Sequence, residues 1–366
     1  MAEENPMTFE DLMSLQTLDF GEGERGKEQF MSVRPAFCAG GGAGASFGGH
    51  VYAQGVWAAA QTVGSGMVVH NVHGFFTLPG MPDRPYVYEV THLSEGKSYC
   101  TRNVNVRQPT TPPESRSRFK EEDAGKELGK ICFSCICSFK RDEKETFKGH
   151  QGVRVQERWK EVLGSRNGEA WEKAPGVDAP WYHRQASTSP PPLLPIFPGL
   201  DIRKVNMTHH NTSDPLAYRT LSLYRPFGHL PISLPNLHAC AHLYASDKNS
   251  LFIISNALGF GDQVGKMGSL SHSVVFHVPA SELMFQGHDE EGGKLNWWVQ
   301  EAWTPRSGQG RGMHESWIWS PSGRHVATTW QEGLIRRAER EEGEKQRLMW
   351  EEGMRKNGRL GGRGKL

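Results

Sequence analysis

Two stretches of sequence that lie 200 residues apart decide the fold: HNVHGFFTLP at 70–79 and LSHSVVFHVP at 270–279. They align with Phe76 over Phe276 and Pro79 over Pro279. Upstream of each lies an apolar segment with helical spacing, HVYAQGVWAAAQTV at 50–63 and LHACAHLYASDKNSLFIISNAL at 237–258. Self-similarity at a fixed offset predicts that one structural unit occurs twice in the chain.

Strand-like segments follow each helical segment in the same order. The first copy continues with YVYEVTHL, YCTRNVNVR and ICFSCICSF, and the second continues with NWWVQEAW, HESWIWS and HVATTWQEGLIR. These segments are rich in Val, Tyr, Trp and Phe, which favour strands. Each copy is therefore predicted to be a two-layer α+β unit in which an antiparallel sheet wraps a central helix.

The segments outside the repeat suggest the domain boundaries. We expect an N-terminal domain over 1–150, with an exposed loop inserted at 107–130 where proline, serine and charged residues dominate. A proline-rich linker that contains SPPPLLPIFPG covers 151–200, and the C-terminal domain covers 201–337. Residues 338–366 are charged and interspersed with glycine, as is typical of a solvated tail.

A glycine-rich run, CAGGGAGASFGGHVYAQGVWAAA at 38–60, leads into the first helix. It does not match a dinucleotide fingerprint, because the sixth position counted from Gly40 is Ala45. It does not match a phosphate loop either, since His50 follows Gly49 where lysine is needed. The pattern predicts a helix start with free N–H groups at Gly48, Gly49 and His50. The alternative is a flexible surface loop that precedes a tightly packed helix.

Composition excludes several classes of function. The 366 residues include 42 Lys and Arg against 41 Asp and Glu, a net charge of +1 that lacks the basic footprint of a nucleic-acid-binding protein. There is no apolar run of about 18 residues and no signal-like N-terminus, so we expect a soluble intracellular protein. Cys132, Cys135 and Cys137 lie in a strand-like segment, and we interpret them as core residues rather than metal ligands.

Five motifs resemble those of the type II acyl-coenzyme A thioesterases. FGGHVYAQGVWAA, HNVHGFFTLPG, DRPYVYEV, YASDKN and TTWQEGLIR occur in the order found in that TesB-like family, and the resemblance spans most of residues 30–337. It implies a double hot-dog fold, and within the family it most resembles a eukaryotic, fungal-type peroxisomal member. It also implies hydrolysis of fatty acyl-CoA to a free fatty acid and CoA by direct attack of water, without a metal or organic cofactor.

The resemblance also implies a catalytic set, all in the second copy. The family aspartate corresponds to Asp247 in YASDKN, the hydroxyl residue to Ser269 in MGSLSHS, where bacterial relatives often have threonine, and the glutamine to Gln331 in TWQEG. As the only acid of the three, Asp247 is the candidate general base. Matching positions in the first copy are apolar or small, so we expect one site per chain.

Four further residues are candidates for substrate binding. We expect the N–H groups of Gly48, Gly49 and His50 to meet the thioester carbonyl across the groove between the two copies, because glycine permits close approach. His73 and the His50 side chain are second candidates. The competing interpretation of both histidines is that they are packed or hydrogen-bonded without touching substrate.

Two other functions remain open from the sequence. The same fold also supports hydration or dehydration of enoyl-CoA, which needs a paired histidine and carboxylate. A non-catalytic acyl-CoA-binding regulator would keep the groove without turnover.

The final Gly364-Lys365-Leu366 resembles a peroxisomal Ser-Lys-Leu signal, so we expect a peroxisomal location, with the cytoplasm as the alternative. Edge strands of such sheets often pair, which makes a homo-oligomer possible.

Overall fold

The computed structural model describes residues 6–18, 27–39, 44–115, 117–186, 196–285 and 297–339, together with residues 348 and 352. Residues 40–43, which include three glycines of the glycine-rich run, and nearly all of the charged tail, including 364–366, lie outside the described residues.

The described part of the chain forms short and long helices around one sheet. The helices are α1 (Phe9–Leu12), α2 (Gly48–Ala60), α3 (Val155–Arg158), α4 (Lys160–Leu163), α5 (Pro180–Ala186), α6 (Pro235–Ser246) and α7 (Ser250–Ala257). The strands are β1 (Leu15–Leu18), β2 (Lys27–Ser32), β3 (Val68–Phe76), β4 (Val87–Glu95), β5 (Tyr99–Arg107), β6 (Phe133–Lys140), β7 (Glu172–Lys173), β8 (Leu200–Lys204), β9 (Thr220–Pro226), β10 (Val264–Phe276), β11 (Trp298–Gly308), β12 (Arg311–Trp319) and β13 (His325–Arg337). Three short 3-10 helices cover Glu121–Asp123, Gly168–Ala170 and Ala280–Leu283.

These strands form a continuous antiparallel sheet in the order β1-β2-β4-β5-β6-β3-β10-β13-β12-β11-β9-β8-β7. The two halves of the sheet correspond strand by strand when each is read outward from the β3–β10 pair. On the first side come β6, β5, β4 and β2, and on the second side their counterparts β13, β12, β11 and β9. His73 pairs with Ser273 at the junction, so the two stretches that revealed the repeat are hydrogen-bonded to each other. The predicted α+β repeat is confirmed.

The central helices α2 and α6 pack side by side and run in opposite directions. Asn236, in the first turn of α6, accepts a hydrogen bond from the Val69 N–H and donates one to the Met67 carbonyl, both at 2.9 Å, just beyond the end of α2. Because the helices are antiparallel, the N-terminus of α2 lies at the C-terminus of α6. This arrangement brings the predicted glycines close to the predicted aspartate.

The loop at 107–130 is more ordered than its composition predicts. Phe119 is buried, and its N–H bonds to the Val33 carbonyl at 2.9 Å. Further hydrogen bonds join Thr110 to Glu127 and Gly129 to Gln108 across the loop. Most of the described residues of this segment are exposed, and Phe119 anchors the loop to the sheet.

Part of the segment predicted to be a linker, 151–200, packs against the second half of the sheet. Val155 and Trp171 are buried in a cluster with Trp297 and Trp319, and β7 pairs with β8. The prolines at 190–192 lie outside the described residues. The domain boundaries themselves stay a prediction.

Cysteine side chains contribute to the interior, as the sequence analysis predicted. All six are buried and none of them forms a disulfide, and Cys135 and Cys137 share the inward face of β6. None of the helices in the described part of the chain is long and apolar enough to cross a membrane.

Three of the completely buried histidines, His50, His242 and His314, are held neutral by burial. Burial lowers the pKa of His50 to about 4 and the pKa values of His242 and His314 to about 3, against an ordinary value of 6.5. At pH values between the lowered pKa values and 6.5, the unfolded chain therefore binds more protons than the folded chain. It follows that the free energy of unfolding falls as the pH decreases below about 6.5.

We predict that the thermal midpoint decreases between pH 7 and pH 5, measured by circular dichroism at constant ionic strength. The variant His50→Gln removes one of the three groups and should show a shallower decrease. A midpoint that stays constant or rises over this range would contradict the prediction.

Candidate active site

Asp247 lies at a break between two helices. The sequence suggested one helical segment over 237–258, but the structure divides it: α6 ends at Ser246 and α7 begins at Ser250. Asn249 takes φ 58° and ψ 17°, a left-handed conformation that asparagine adopts more readily than most residues. The Ser250 hydroxyl bonds to the Asp247 carbonyl at 3.0 Å and to its Oδ1 at 3.1 Å. The aspartate therefore occupies a fixed corner instead of the side of a helix.

The Asp247 carboxylate accepts hydrogen bonds from both halves of the protein. The Gly49 N–H donates to Oδ2 at 2.6 Å, and the Gln331 Nε2 donates to Oδ1 at 2.6 Å. The first donor belongs to the opening turn of α2, where N–H groups have no partner within the helix and the helix dipole favours an anion. The carboxylate is only 6 % exposed, so these donors replace most of its hydration.

A β-bulge in β10 orients Ser269. Ser271 pairs with Glu332 on β13, whereas Ser269 pairs with Gly333, so the extra residue Leu270 lies between the two pairs. An extra residue changes which face of the sheet the following side chains occupy. Ser269 consequently lies on the same face of the sheet as Gly333. Gln331 precedes Gly333 by two residues on β13, so its side chain is on that face as well.

The Gln331 carboxamide connects the other two side chains. Its Nε2 donates to Asp247 Oδ1 and also to Ser269 Oγ, the latter at 2.7 Å. A carboxylate can only accept, so the orientation of the amide is determined by its partner. The structure thus brings the three predicted catalytic side chains together in one hydrogen-bonded cluster.

The cluster leaves three positions for a reactant. Among the described residues, Asp247 Oδ2 accepts only from Gly49 and keeps one lone pair. Ser269 Oγ accepts from Gln331, which leaves its own proton available, and this side chain is partly exposed. Gln331 Oε1 is buried without a partner in the described part of the chain.

Within those same residues, no three His, Cys, Asp or Glu side chains form a metal-binding group.

His272 lies beside the carboxylate, which the sequence analysis did not predict. Ser246 donates its proton to the Leu243 carbonyl at 2.8 Å, so its oxygen accepts from His272 Nε2 at 3.1 Å. Its Nδ1 lies 3.8 Å from Asp247 Oδ1. The ring is fully buried and stacks on Tyr52 at 4.6 Å between centroids.

The place of His272 beside the cluster depends on the bulge in β10. Without the bulge, residues 269 and 272 would face opposite sides of the sheet. With the bulge, His272 pairs directly with Gln331 and both side chains face inward. No feature of the sequence marks the extra residue. The structure repeats it in the first copy, where β3 has an equivalent register shift between Val69 and Asn71.

Two of the three predicted N–H donors of the first helix, those of Gly49 and His50, already have acceptors within the protein. Gly49 N–H bonds to the carboxylate, and His50 N–H bonds to the Phe47 carbonyl at 3.1 Å. The His50 ring is buried and bonds to Gln54 at 3.1 Å. The expectation that Gly49 and His50 offer free donors to a substrate carbonyl is therefore wrong, because a buried carboxylate and a helix cap satisfy them first.

Gly48 also lies close to the second half of the protein. A Cβ atom at this position would lie 3.1 Å from Asp247 Oδ2 and 3.2 Å from the Phe76 ring. The glycines are therefore required because a carboxylate approaches the helix N-terminus, which answers why side chains are missing there.

His73 is on the wrong face of the sheet to join the cluster. Its Nδ1 bonds to Ser273 at 2.9 Å, and the cross-strand row continues to Trp330, which is 38 % exposed. Gln331 is the next residue along β13 and faces inward. The structure therefore does not bring His73 to the Asp247 site.

Lys248 follows the aspartate in sequence but extends away from it. Its Nζ donates to the carbonyls of Pro175 and Gly176 at 2.7 and 3.2 Å. Burial lowers the pKa of Lys248 to about 7, while the nearby Asp178 and Asp247 carboxylates act in the opposite direction. Its positive charge is therefore lost as the pH rises through about 7.

Two family models match the two copies. One described as the acyl-CoA thioesterase N-terminal domain matches residues 39–119, and one described as the acyl-CoA thioesterase C-terminal domain matches residues 231–335. Together these ranges cover half of the chain. The chain belongs to the type II acyl-CoA thioesterase family.

Individual relatives of this thioesterase are distant but cover most of its length. Acyl-coenzyme A thioesterase 8 of Homo sapiens is 24 % identical over 294 residues, which cover 79 % of this chain and 80 % of that protein. Acyl-CoA thioesterase 2 of Haemophilus influenzae is 25 % identical over 307 residues, which cover 80 % and 88 %.

Solved structures confirm the predicted double hot-dog fold of the thioesterase. The acyl-CoA thioesterase II TesB2 of Mycobacterium marinum has a TM-score of 0.58 at 21 % identity and covers 90 % of this chain and 98 % of its own. A hot-dog protein of Alicyclobacillus acidocaldarius has a TM-score of 0.54 at 14 % identity and covers 90 % and 97 %.

We predict that Gly49→Ala lowers the turnover of this thioesterase by about tenfold or more, because small displacements in an active site are costly. The added Cβ would lie 2.6 Å from the Phe47 ring and 3.0 Å from Asp247 Cβ. Gly55→Ala in the same helix is the matched control, since its Cβ has no contact shorter than 3.7 Å. Equal turnover of the two variants would show that close approach at Gly49 is unimportant.

Proposed function

We propose that the protein hydrolyses fatty acyl-CoA thioesters to a fatty acid and CoA, with Asp247 as the general base. The single observation that carries this proposal is the convergence of a carboxylate, a carboxamide and a hydroxyl from the α6–α7 corner, β13 and β10, joined by hydrogen bonds of 2.6 and 2.7 Å. Family membership supports the same reaction.

Each side chain has a distinct role in the proposed reaction. A water molecule binds to the free lone pair of Asp247 Oδ2, and its oxygen attacks the carbonyl carbon while Asp247 takes its proton. The carbon–sulfur bond then breaks and CoA leaves as the thiolate, which takes up a proton from Asp247 or from solvent. General-base assistance of this kind is typically worth about 10²–10⁴-fold in rate.

Ser269 is suited to stabilise the developing oxyanion. Its oxygen accepts from Gln331, so its proton can be donated to the thioester oxygen. Gln331 orients both partners and does not titrate, which keeps the base and the hydroxyl at a constant separation. The low exposure of the cluster strengthens these interactions relative to water.

The two alternative functions differ from hydrolysis in measurable ways. His272 and Asp247 form a histidine–carboxylate pair of the type that a hydratase needs, at 3.8 Å. However, the ring is completely buried against Tyr52 and Ser246, so its free nitrogen faces the carboxylate and not a substrate. A change in enoyl absorbance would indicate the hydratase, and binding without thiol release would indicate the regulator.

We predict that Asp247→Asn reduces thiol release from palmitoyl-CoA by about 10²–10⁴-fold, because the base is lost while the shape is kept. Thiol release is measured with a chromogenic thiol reagent, and circular dichroism checks folding. Asp262→Asn, at an exposed aspartate that pairs with Arg184, is the control and should keep wild-type turnover. Unchanged turnover in folded Asp247→Asn would reject Asp247 as the base.

For Ser269 we expect the hydroxyl, not the size of the side chain, to matter. Ser269→Thr should keep turnover within a few-fold, whereas Ser269→Ala should lose about 10²–10³-fold, the usual cost of removing one oxyanion donor. Both kcat and KM should be measured with palmitoyl-CoA. Equal kcat values for the two variants would exclude the donor role.

Location and assembly stay predictions. A peroxisomal location rests on the resemblance of residues 364–366 to a targeting signal and on the family resemblance, and a homo-oligomer rests on the exposed edges and faces of the sheet. Neither is needed for the reaction proposed above.

A further inference from the structure

The chain before β8 passes over the corner between α6 and α7. Residues 174–178, Ala-Pro-Gly-Val-Asp, belong to the segment whose composition predicted a linker. At one end the Ala174 N–H donates to the Ile202 carbonyl of β8 at 2.8 Å. At the other end Asn256 of α7 donates to the Asp178 carbonyl at 3.0 Å. We call residues 174–178 the strap, and both of its ends are fixed to the second copy.

Two side chains of the corner hold the middle of the strap. Lys248 Nζ donates to the carbonyls of Pro175 and Gly176 at 2.7 and 3.2 Å. Asn249 Nδ2 donates to the same Pro175 carbonyl at 3.1 Å, so both lone pairs of that oxygen are used. Lys248 and Asn249 are the two residues that directly follow Asp247 in the chain. The backbone that leaves the aspartate is therefore bonded to the strap at two consecutive positions.

The strap is itself held by buried contacts. Val177 and Tyr182 are both 2 % exposed and belong to one apolar cluster, against which Phe252 of α7 packs. Asp178 is 5 % exposed, and its carboxylate accepts from Lys204 Nζ on β8 at 2.6 and 2.7 Å. Apolar packing and a buried ion pair thus fix the strap on both sides of its bonds to the corner. It can act as a rigid support for the residues that it contacts.

The buried ammonium of Lys248 is costly to the protein. Burial disfavours its charge and lowers the pKa of Lys248 to about 7, although the Asp178 and Asp247 carboxylates favour the charged form. An uncharged side chain of similar length would fill the same space without this penalty. The charge is therefore not explained by packing, whereas strong hydrogen bonds to two backbone carbonyls do explain it, since an ammonium donates more strongly than a neutral group.

The corner needs such support because its own backbone is irregular. The helix is interrupted here, and Asn249 takes a left-handed conformation with φ 58°, which persists where surrounding contacts impose it. The Asp247 carboxylate meets both the Gly49 N–H and the Gln331 amide at 2.6 Å. Hydrogen bonds weaken as their length and angle depart from the ideal. A small displacement of the corner would therefore loosen both contacts at once.

We propose that Lys248 and Asn249 are positioning residues that keep the Asp247 carboxylate between Gly49 and Gln331 by bonding its corner to the strap. Neither side chain touches the reactant, and both act through the backbone of residues 247–249. The inference rests on the proposed function, because the group that they position is the proposed general base. It also gives the segment that resembled a linker a part in the reaction.

The variant Lys248→Met removes the two bonds to the strap and keeps most of the side-chain volume. We expect kcat to decrease about tenfold, because small displacements in an active site are costly. KM for palmitoyl-CoA should stay within about twofold, since no group that faces the reactant is altered. Unchanged kcat in the folded variant, or a loss expressed only in KM, would overturn the proposal.

Asn249→Gly tests the second bond without disturbing the backbone, because glycine adopts the left-handed conformation readily. It removes one hydrogen bond where Lys248→Met removes two, so it should lower kcat by a smaller factor and leave KM unchanged. Wild-type kcat in Asn249→Gly would overturn the role assigned to Asn249.

The pH dependence separates positioning by a charged group from simple packing. Lys248 is an ammonium below its pKa of about 7 and a neutral amine above it, so its bonds to the strap weaken as the pH rises. The ratio of the wild-type kcat to the Lys248→Met kcat should therefore fall between pH 6 and pH 8.5. The ratio cancels pH effects that both proteins share, and the decrease in thioester absorbance avoids a pH-sensitive reagent. A constant ratio would overturn the proposal.

The charged groups that face Lys248 are Asp178 on the strap and Asp247 on the corner. Asp178 in turn binds Lys204 and the ring of His183, the latter at 2.9 Å. His183→Gln tests whether this histidine causes the change instead. The fall in the ratio should persist when both proteins carry His183→Gln, and its disappearance would overturn the assignment to Lys248.

Lys173→Met is the matched control for the loss of a lysine. Lys173 is exposed and directly precedes the strap, and this variant should keep wild-type kcat at every pH. Asp247→Asn is assayed in parallel. Inactive Asp247→Asn together with wild-type kcat in Lys248→Met would reject only the positioning role, whereas wild-type turnover in Asp247→Asn would reject the proposed function.

A crystal structure of Lys248→Met provides a readout that does not depend on activity. We expect the Asp247 side chain to adopt more than one conformation, or its distances to the Gly49 nitrogen and Gln331 Nε2 to be longer than in the wild-type crystal. A single, unchanged conformation with unchanged distances would overturn the proposal, whatever the kinetics of the variant.

Discussion

The hydrogen bond from the Gly49 N–H to the Asp247 carboxylate holds the site together across the two copies. It exists because β3 and β10 pair, which makes the two half-sheets continuous and sets α2 and α6 antiparallel. The anion then lies at a helix N-terminus, where uncompensated N–H groups favour negative charge. A reactive carboxylate can therefore be buried without a neighbouring cation as its main partner.

The two copies share their backbone geometry but not their chemistry. Cys137 on β6 occupies the place of Gln331 on β13, and Val72 that of His272, as the equivalent pairings on β3 and β10 show. Val69, at the same register shift in the first copy, has no hydroxyl to match Ser269. The bulge is thus part of the repeated unit, whereas the polar side chains were placed in one copy only.

The fold was predictable because it rests on two robust signals, period-two strands and a repeat with matching order. The identities of Asp247, Ser269 and Gln331 came from motif resemblance. Their convergence depends on a helix break at Asn249 and an extra residue at Leu270, and neither is marked in the sequence. The place of His272 beside Asp247 depends on that same extra residue. The anchoring of the 107–130 loop by Phe119 is likewise not visible in a composition rich in proline, serine and charged residues.

The shared sheet has a consequence for how the protein could have arisen. A single ancestral copy would end at β3 with an unpaired edge, and two such copies would meet edge to edge as a symmetric dimer with two identical sites. Fusion of the copies removes that symmetry requirement, so one copy can lose its reactive groups and serve as the wall and helix terminus of the other. The first copy therefore supplies the helix terminus to which the Asp247 carboxylate bonds, and neither half of the chain contains the whole cluster.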